Sequence, residues 1–233
     1  RVIPNWADDA GLAPRSRNGN PVRASLGLDD SHFVVGYSGN LGRAHEYDTL
    51  LGAATLLANR PEFAFVITGA GAKVEALRHD AAARSLSNVH FQPFQPPERL
   101  ADSMAAADVH WLSLLPPLEG LIVPSKFYGI LAAARPAIFV GDIDGEIARD
   151  IRAFDCGFSV AVGDAAALAA GLEHLRADPA RLAQLGMNAR LAAEEKHSSD
   201  RALAAWQGLL GSLGSIGGQS AAPHALEARP QSG

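Results

Sequence analysis

The segment Val109-His110-Trp111-Leu112-Ser113-Leu114-Leu115-Pro116-Pro117-Leu118-Glu119-Gly120-Leu121-Ile122-Val123-Pro124-Ser125-Lys126-Phe127-Tyr128 decides the fold. Residues 109–115 form a largely apolar run of strand length. A Pro-Pro pair ends it, Glu119 and Gly120 follow, and Val123-Pro124-Ser125-Lys126 leads into a helical run from Phe127 to Ala134. A strand passing through a turn into a helix makes an anion site, because the first helical N–H groups are unpaired and the helix dipole adds positive charge. Ser125 is placed to cap this helix through its hydroxyl. Lys126 sits where the dipole disfavours a cation, which points to a neutralising anion. The segment reads as phosphate at the helix end and a polyhydroxylated ligand at the Glu119 carboxylate.

Outward from this segment the same unit recurs. Strands are predicted over 32–38, 63–68, 88–92, 136–141 and 157–162, and helices over 47–59, 73–85, 96–107, 145–154, 165–177, 180–196 and 200–210. Short apolar strands alternating with helices predict an α/β fold, a Rossmann-like parallel sheet of about six strands with helices on both faces. Residues 1–31 read as a connecting segment with a short helix near Pro21–Leu26, residues 32–210 as the domain, and 211–233 as a disordered tail. Ligands of such sheets sit beyond the strand carboxyl ends. The glycine and polar residues gather there, at 38–43, 69–73, 92–95, 115–126 and 141–146.

The 233 residues suffice for one large domain or two small ones. A net charge of −5 without a basic stretch argues against nucleic-acid binding. The single cysteine, Cys156, excludes an internal disulfide and reads as a buried thiol. No apolar run reaches the roughly 18 residues of a membrane span, and no signal peptide is visible, so a cytoplasmic location is expected. The chain opens on what reads as a strand end, so a preceding N-terminal part is also expected.

From Leu118 to Pro136 the chain resembles the donor-binding half of the group 1 (family 4) glycosyltransferases, whose GT-B fold faces two Rossmann-like domains. Supporting matches are Ile3-Pro4-Asn5, Tyr37-Ser38-Gly39-Asn40, Thr68-Gly69-Ala70-Gly71, Glu119-Gly120, Leu131–Pro136 and Gly186-Met187-Asn188-Ala189-Arg190. They span about residues 1 to 210 in order. Val123–Tyr128 is similar to a bacterial subgroup working on cell-surface polysaccharide. The resemblance implies retaining transfer of a sugar from a nucleotide-sugar, UDP-linked in the first instance and GDP-linked as the alternative, with no tightly bound cofactor and no metal. The acceptor would bind an N-terminal domain of the same protein, so this part alone is expected to be inactive. The full-length protein could associate peripherally with the inner face of the membrane.

By position, Glu119 would accept hydrogen bonds from sugar hydroxyls, with Gly120, Val123, Pro124 and Ser125 along the sugar and phosphate. Gly39, Asn40, Gly42, Gly69 and Gly71 would bring backbone close to the nucleotide, and the 92–95 stretch, with Gln92 and Phe94, would lie near the base. Three departures stand out. The family's ribose-gripping glutamate falls at Gly129. Its Arg and Lys after the first strand fall at Asn40 and His45, leaving Arg43 and Lys126 as the cations expected to face the diphosphate, where charge develops as it leaves. The third departure, Ala134 for glycine before Arg135-Pro136, is expected to affect packing only.

Plainer roles compete. Glu119 could be a solvated loop carboxylate, Lys126 a surface lysine, Arg43 a surface partner of Glu46 and His45 a capping residue. Asp142, Asp144 and Glu146 fit capping better than metal binding. His79, His90, His110, His174 and His197 form no ligand spacing. Rival functions are a GT-B UDP-sugar epimerase and a dinucleotide-binding Rossmann domain. Gly39-Asn40-Leu41-Gly42-Arg43-Ala44 does not match the dinucleotide glycine spacing, and positions 57 to 61, where the ribose-binding acid is looked for, are Leu-Ala-Asn-Arg-Pro.

Overall fold

The computed structural model describes residues 2–7 and 12–217. Strands β1 (Phe33–Asn40), β2 (Phe63–Ala70), β3 (Val89–Gln92), β4 (Val109–Ser113), β5 (Ala137–Val140) and β6 (Gly157–Val160) form one parallel sheet in the order β3-β2-β1-β4-β5-β6. The helices are α1 (Pro21–Ser25), α2 (Asp48–Leu56), α3 (Val74–Ala83), α4 (Leu100–Ala105), α5 (Lys126–Ala132), α6 (Glu146–Phe154), α7 (Ala165–Ala177), α8 (Pro179–Glu195) and α9 (Ser199–Gly217). This is the expected Rossmann-like α/β architecture.

Strand residues alternate between two cores, as the two-residue period of a strand requires. Val109, Trp111, Ile138 and Val140 face a core shared with α2, α3 and α7. Leu112, Ala137 and Phe139 face a second core shared with α5, α6 and α8. Cys156 lies in that second core, and burial pushes its thiol up to about 12, so it is a packing residue.

Several expected boundaries move. β1 and β2 extend beyond Ser38 and Thr68, because Gly39 pairs with Gly69 and Asn40 with Ala70. Those glycines are paired backbone first and loop second. The helix expected over 96–107 is a 3₁₀ turn at Pro97–Arg99 followed by the short α4. α9 runs on to Gly217, since Leu209, Leu210 and Leu213 keep helical spacing despite the intervening glycines. The disordered tail therefore does not begin at 211, and residues 218–233 lie outside the described residues.

The segment before β1 packs on the same body. Asn20 caps α1, its Oδ1 accepting from the N–H groups of Val22 and Arg23 at 2.9 and 3.3 Å. Arg23 then reaches Asp108, at the start of β4, in an ion pair of 2.6 Å whose side chains are 2% and 1% exposed. The other side-chain interactions of Asp108 are with Arg17 and the Val34 N–H. At the other end of the segment, the Asn5 carbonyl accepts from the His197 ring at 3.1 Å.

Breaking a buried ion pair from one side strands a charge. Asp108→Ala is therefore expected to destabilise the fold by about 3–5 kcal/mol in urea denaturation. His110 yields a second expectation. Its Nε2 donates to the Met104 carbonyl at 2.8 Å, and burial pushes its pKa down to about 4 from an ordinary 6.5. Between those values the unfolded chain takes up a proton that the folded chain refuses, so stability falls as pH drops from 6.5 to 4. The contribution is about 3 kcal/mol over that window, and His110→Gln should flatten that part of the curve.

Candidate functional site

The strand order reverses between β1 and β4, and the crevice at such a switch point is where ligands of open parallel sheets bind. Here the crevice is bounded by the end of β1, the 41–47 loop and the start of α5.

The 41–47 loop is fastened to the ends of its neighbours. The Leu41 N–H donates to Ala70 at 2.8 Å and the Leu115 N–H to the Ala44 carbonyl at 2.9 Å. The Ser113 hydroxyl donates to the Glu46 carbonyl at 2.6 Å and accepts from the Glu46 N–H at 3.1 Å. Glu46 turns its carboxylate inward to the Thr49 N–H at the start of α2, at 2.8 Å, so the expected surface pair with Arg43 does not form. A long pinned loop here, in place of a tight glycine turn into a helix, is also unlike the dinucleotide fingerprint.

Lys126 is the centre of the site. Its side chain leaves α5 and crosses the end of β1 over Gly39, where an added Cβ would lie 2.6 Å from Lys126 Cε. The ammonium stands 5.4 Å from the centre of the Tyr37 ring and 3.4 Å from His45 Nε2. His45 Nδ1 lies 2.7 Å from the Ser113 carbonyl and can only donate there, which leaves Nε2 to accept from Lys126. Burial first, then the charges of Lys126 and Lys73, hold the His45 pKa below its ordinary value and keep the ring neutral. Burial also lowers the Lys126 pKa, a sign of an ammonium partly stripped of water. Lys73 reaches the same residue from the far side, donating to the His45 carbonyl at 2.5 Å. Arg43 is exposed. Among the described residues, no carboxylate pairs with Lys126, Lys73 or Arg43.

Lys73 was not legible as a site residue. Its one signal is a lysine directly before a helix and two residues after a glycine turn, again at the end where the dipole disfavours a cation.

Glu119 is engaged rather than free. Its Oε1 accepts the Glu146 N–H at 2.7 Å and so caps α6, while Oε2 packs over Gly145, where a Cβ would lie 2.6 Å away. Ser125 does not cap α5 through its side chain. Its own backbone is already helical, with φ −58° and ψ −22°, whereas a side-chain cap needs an extended residue. Asp142 Oδ1 accepts the Asp144 N–H at 2.9 Å, and Glu146 is the first residue of α6.

Two adjacent depressions divide the remaining residues. A cavity of about 360 Å³ is lined by Ser38, Gly39, Phe94, Gln95, Lys126 and Gly129, with apolar walls from Leu12, Leu100, Met104 and Ile130. A shallower one of about 420 Å³ holds Gly69, Gly71, Gln92 and Arg78. The Gln92 amide turns away, donating to Ser25 at 3.2 Å. The missing side chains of Gly69 and Gly71 make room for the chain itself, since a Cβ on either would run into the carbonyl of Gly39 or Leu41. Arg43, Asn40, Gly42, Glu119, Gly120, Val123, Pro124 and Ser125 line neither depression.

A six-stranded parallel sheet with helices on both faces and a switch-point crevice flanked by lysines that no carboxylate pairs defines a Rossmann-like α/β domain. Residues 20–192 match the family described as glycosyl transferases group 1, and the chain belongs to that family. It is 29% identical over 167 residues to the probable glycosyltransferase WbjE of Pseudomonas aeruginosa, covering 72% of this chain and 41% of that protein. It is 28% identical over 161 residues to the putative colanic acid biosynthesis glycosyl transferase WcaI of Escherichia coli K12, covering 69% of this chain and 39% of that protein. The chain thus spans about two fifths of these relatives. The fold is shared with Anabaena Alr3699/HepE solved with UDP-glucose, at a TM-score of 0.75 and 19% identity over 92% of this chain and 57% of that one.

The two kinds of glycine at the site separate in a stability test. Gly69→Ala drives a Cβ into backbone at φ +133° and should cost about 3 kcal/mol or more. Gly120→Ala, at φ +77° with nothing within 4 Å, should cost only the backbone strain of about 1–2 kcal/mol. Chemical denaturation of the two variants checks this.

Proposed function

We propose that this chain is the donor-binding half of a retaining glycosyltransferase that moves a hexosyl or N-acetylhexosaminyl group from a nucleotide-sugar to a cell-surface polysaccharide or lipid-linked acceptor. The observation that carries the reading is the pair Lys126 and Lys73, both bonded to His45 at the switch point with no carboxylate paired to either, and Arg43 is assigned to the same diphosphate from the exposed part of the 41–47 loop. As the glycosidic bond breaks, a nucleoside diphosphate gains negative charge. Fixed cations already oriented toward it stabilise that charge without reorganisation and without a metal. Neutral His45 and the aromatic face of Tyr37 hold Lys126 without cancelling its charge, as a carboxylate would.

The base and ribose enter the cavity toward Phe94, and the sugar extends toward Glu119. There Oε2 receives a sugar hydroxyl while Oε1 stays on α6. UDP is the favoured nucleotide, with GDP as the alternative; the Anabaena structure with UDP-glucose supports the first. The names of the Pseudomonas and Escherichia relatives support a bacterial polysaccharide acceptor, and the Val123–Tyr128 motif supports the same subgroup. Retention rests on the family resemblance.

The acceptor half is a second domain of the full-length protein. Exposed apolar side chains at the strand carboxyl ends, Phe94, Leu121, Ile122, Ile143 and Val162, support a surface that another domain covers. No helix among the described residues is long and apolar enough to cross a membrane, and a peripheral position at the inner membrane face is part of the proposal.

Calorimetric titration of UDP, GDP and ADP into this chain tests the reading. One nucleoside diphosphate should bind, and Lys126→Ala should weaken it about tenfold or more, as loss of a charge-assisted contact does. Glu119→Ala should weaken the nucleotide-sugar but not the bare nucleotide. Equal binding by wild type and Lys126→Ala would remove the phosphate assignment.

A further inference from the structure

At the amino ends of β4 and β5, opposite the crevice, a groove of about 570 Å³ runs along α8. One face of that helix makes a wall, from Pro179 through Leu182, Gly186 and Arg190 to Glu194, at the spacing of neighbours on a helix surface. The 134–136 turn makes the other. The two walls meet closely, since a Cβ on Gly186 would lie 2.8 Å from the Ala134 carbonyl oxygen. The donor site proposed above lies at the other end of the sheet and uses none of these residues.

Arg135 stands in this groove without a counter-ion. Its Nη2 donates to the carbonyls of Arg15 and Ala105 at 2.8 and 3.1 Å. Its Nε is buried without a partner, and Nη1 donates to nothing among the described residues. No carboxylate among the described residues pairs with it. Burial lowers its pKa, opposed by Asp108 and reinforced by the like charges of Arg23 and Arg17. A guanidinium with unmet donors in such surroundings calls for an acceptor.

The neighbouring charges do not supply one. Arg17 and Arg23 share a single carboxylate, Asp108, and Arg190 holds Glu194 at 2.6 Å. The four guanidiniums of Arg17, Arg23, Arg135 and Arg190 thus face two carboxylates, an excess of two positive charges. A phosphate monoester brings a charge of about −1.5 to −2 at neutral pH and oxygens that match the guanidinium fork, whereas a carboxylate or a phosphodiester brings only one charge. Beside the arginines the α8 wall is apolar, with Met187 59% and Leu191 50% exposed. A ligand that suits both parts joins a phosphate to hydrocarbon. We propose that this groove binds a phosphate monoester with an apolar body, its phosphate at Arg135 and Arg190 and its hydrocarbon along Met187 and Leu191.

Calorimetric titration of hexyl phosphate and of inorganic phosphate into the chain tests this. Hexyl phosphate should bind about tenfold or more tightly than inorganic phosphate, because it alone covers the apolar wall. Arg135→Gln should weaken hexyl phosphate about tenfold or more, as loss of a charge-assisted contact does. Arg135 also holds two backbone carbonyls, so Met187→Glu serves as a second variant. It changes an exposed side chain, leaves the packing intact and sets a carboxylate against the phosphate, and it should weaken hexyl phosphate to a similar extent. Equal binding of the two phosphates overturns the assignment to an ester with an apolar body. Hexyl phosphate binding that neither substitution weakens lies elsewhere on the chain and overturns the groove as its site. Absence of hexyl phosphate binding overturns the proposal outright.

Discussion

The path of one side chain governs the site. Lys126 crosses from α5 to the loop after β1 directly over position 39, where a Cβ would lie 2.6 Å from its Cε and push the side chain off this path. Glycine there also supplies a φ of +134° while β1 is still paired with β2. The lysine then meets two partners that attract it without neutralising it, the face of Tyr37 and the lone pair of His45. An ammonium held this way keeps its demand for an anion. Had a carboxylate stood at either place, the same lysine would be a structural ion pair.

That geometry needs a rigid floor. β1 and β2 remain paired to their last residues, with Gly39 opposite Gly69 and Asn40 opposite Ala70. The loop that follows is tied to β2 through Leu41 and to β4 through His45, Glu46 and Ala44. These bonds are individually modest, about 1 kcal/mol each. Together they leave His45 one orientation, with Nδ1 committed to Ser113 and Nε2 turned to Lys126. Glu119 fixes the far side similarly, since its bond to the Glu146 N–H ties the turn after β4 to the start of α6.

Much of the fold was legible because alternating apolar strands and helices admit few arrangements, and every predicted strand is present. The ends of β1 and β2 were misread because glycine signals a turn locally, whereas here it permits two strands to pair closely. The place of Lys126 at the crevice was legible, because it stands where a helix dipole disfavours a cation. The Ser125 cap was not, since a serine fits a capping position by type while its backbone conformation depends on the preceding turn. Lys73 and the neutral role of His45 were hidden for a different reason. They come from separate loops and acquire meaning only when the β1–β2 and β1–β4 pairings bring them together. The engagement of Glu119 with α6 likewise joins residues 27 apart in sequence.

The central claim is that a nucleoside diphosphate lies along the switch-point crevice with its phosphates at Lys126. A crystal structure of the chain grown with UDP tests it most directly. The account predicts diphosphate oxygens within hydrogen-bond reach of Lys126 Nζ and the uridine in the cavity beside Gly129 and Phe94. A diphosphate bound instead in the groove at the opposite end of the sheet, between Arg17, Arg135 and Arg190, with the crevice empty, would contradict it.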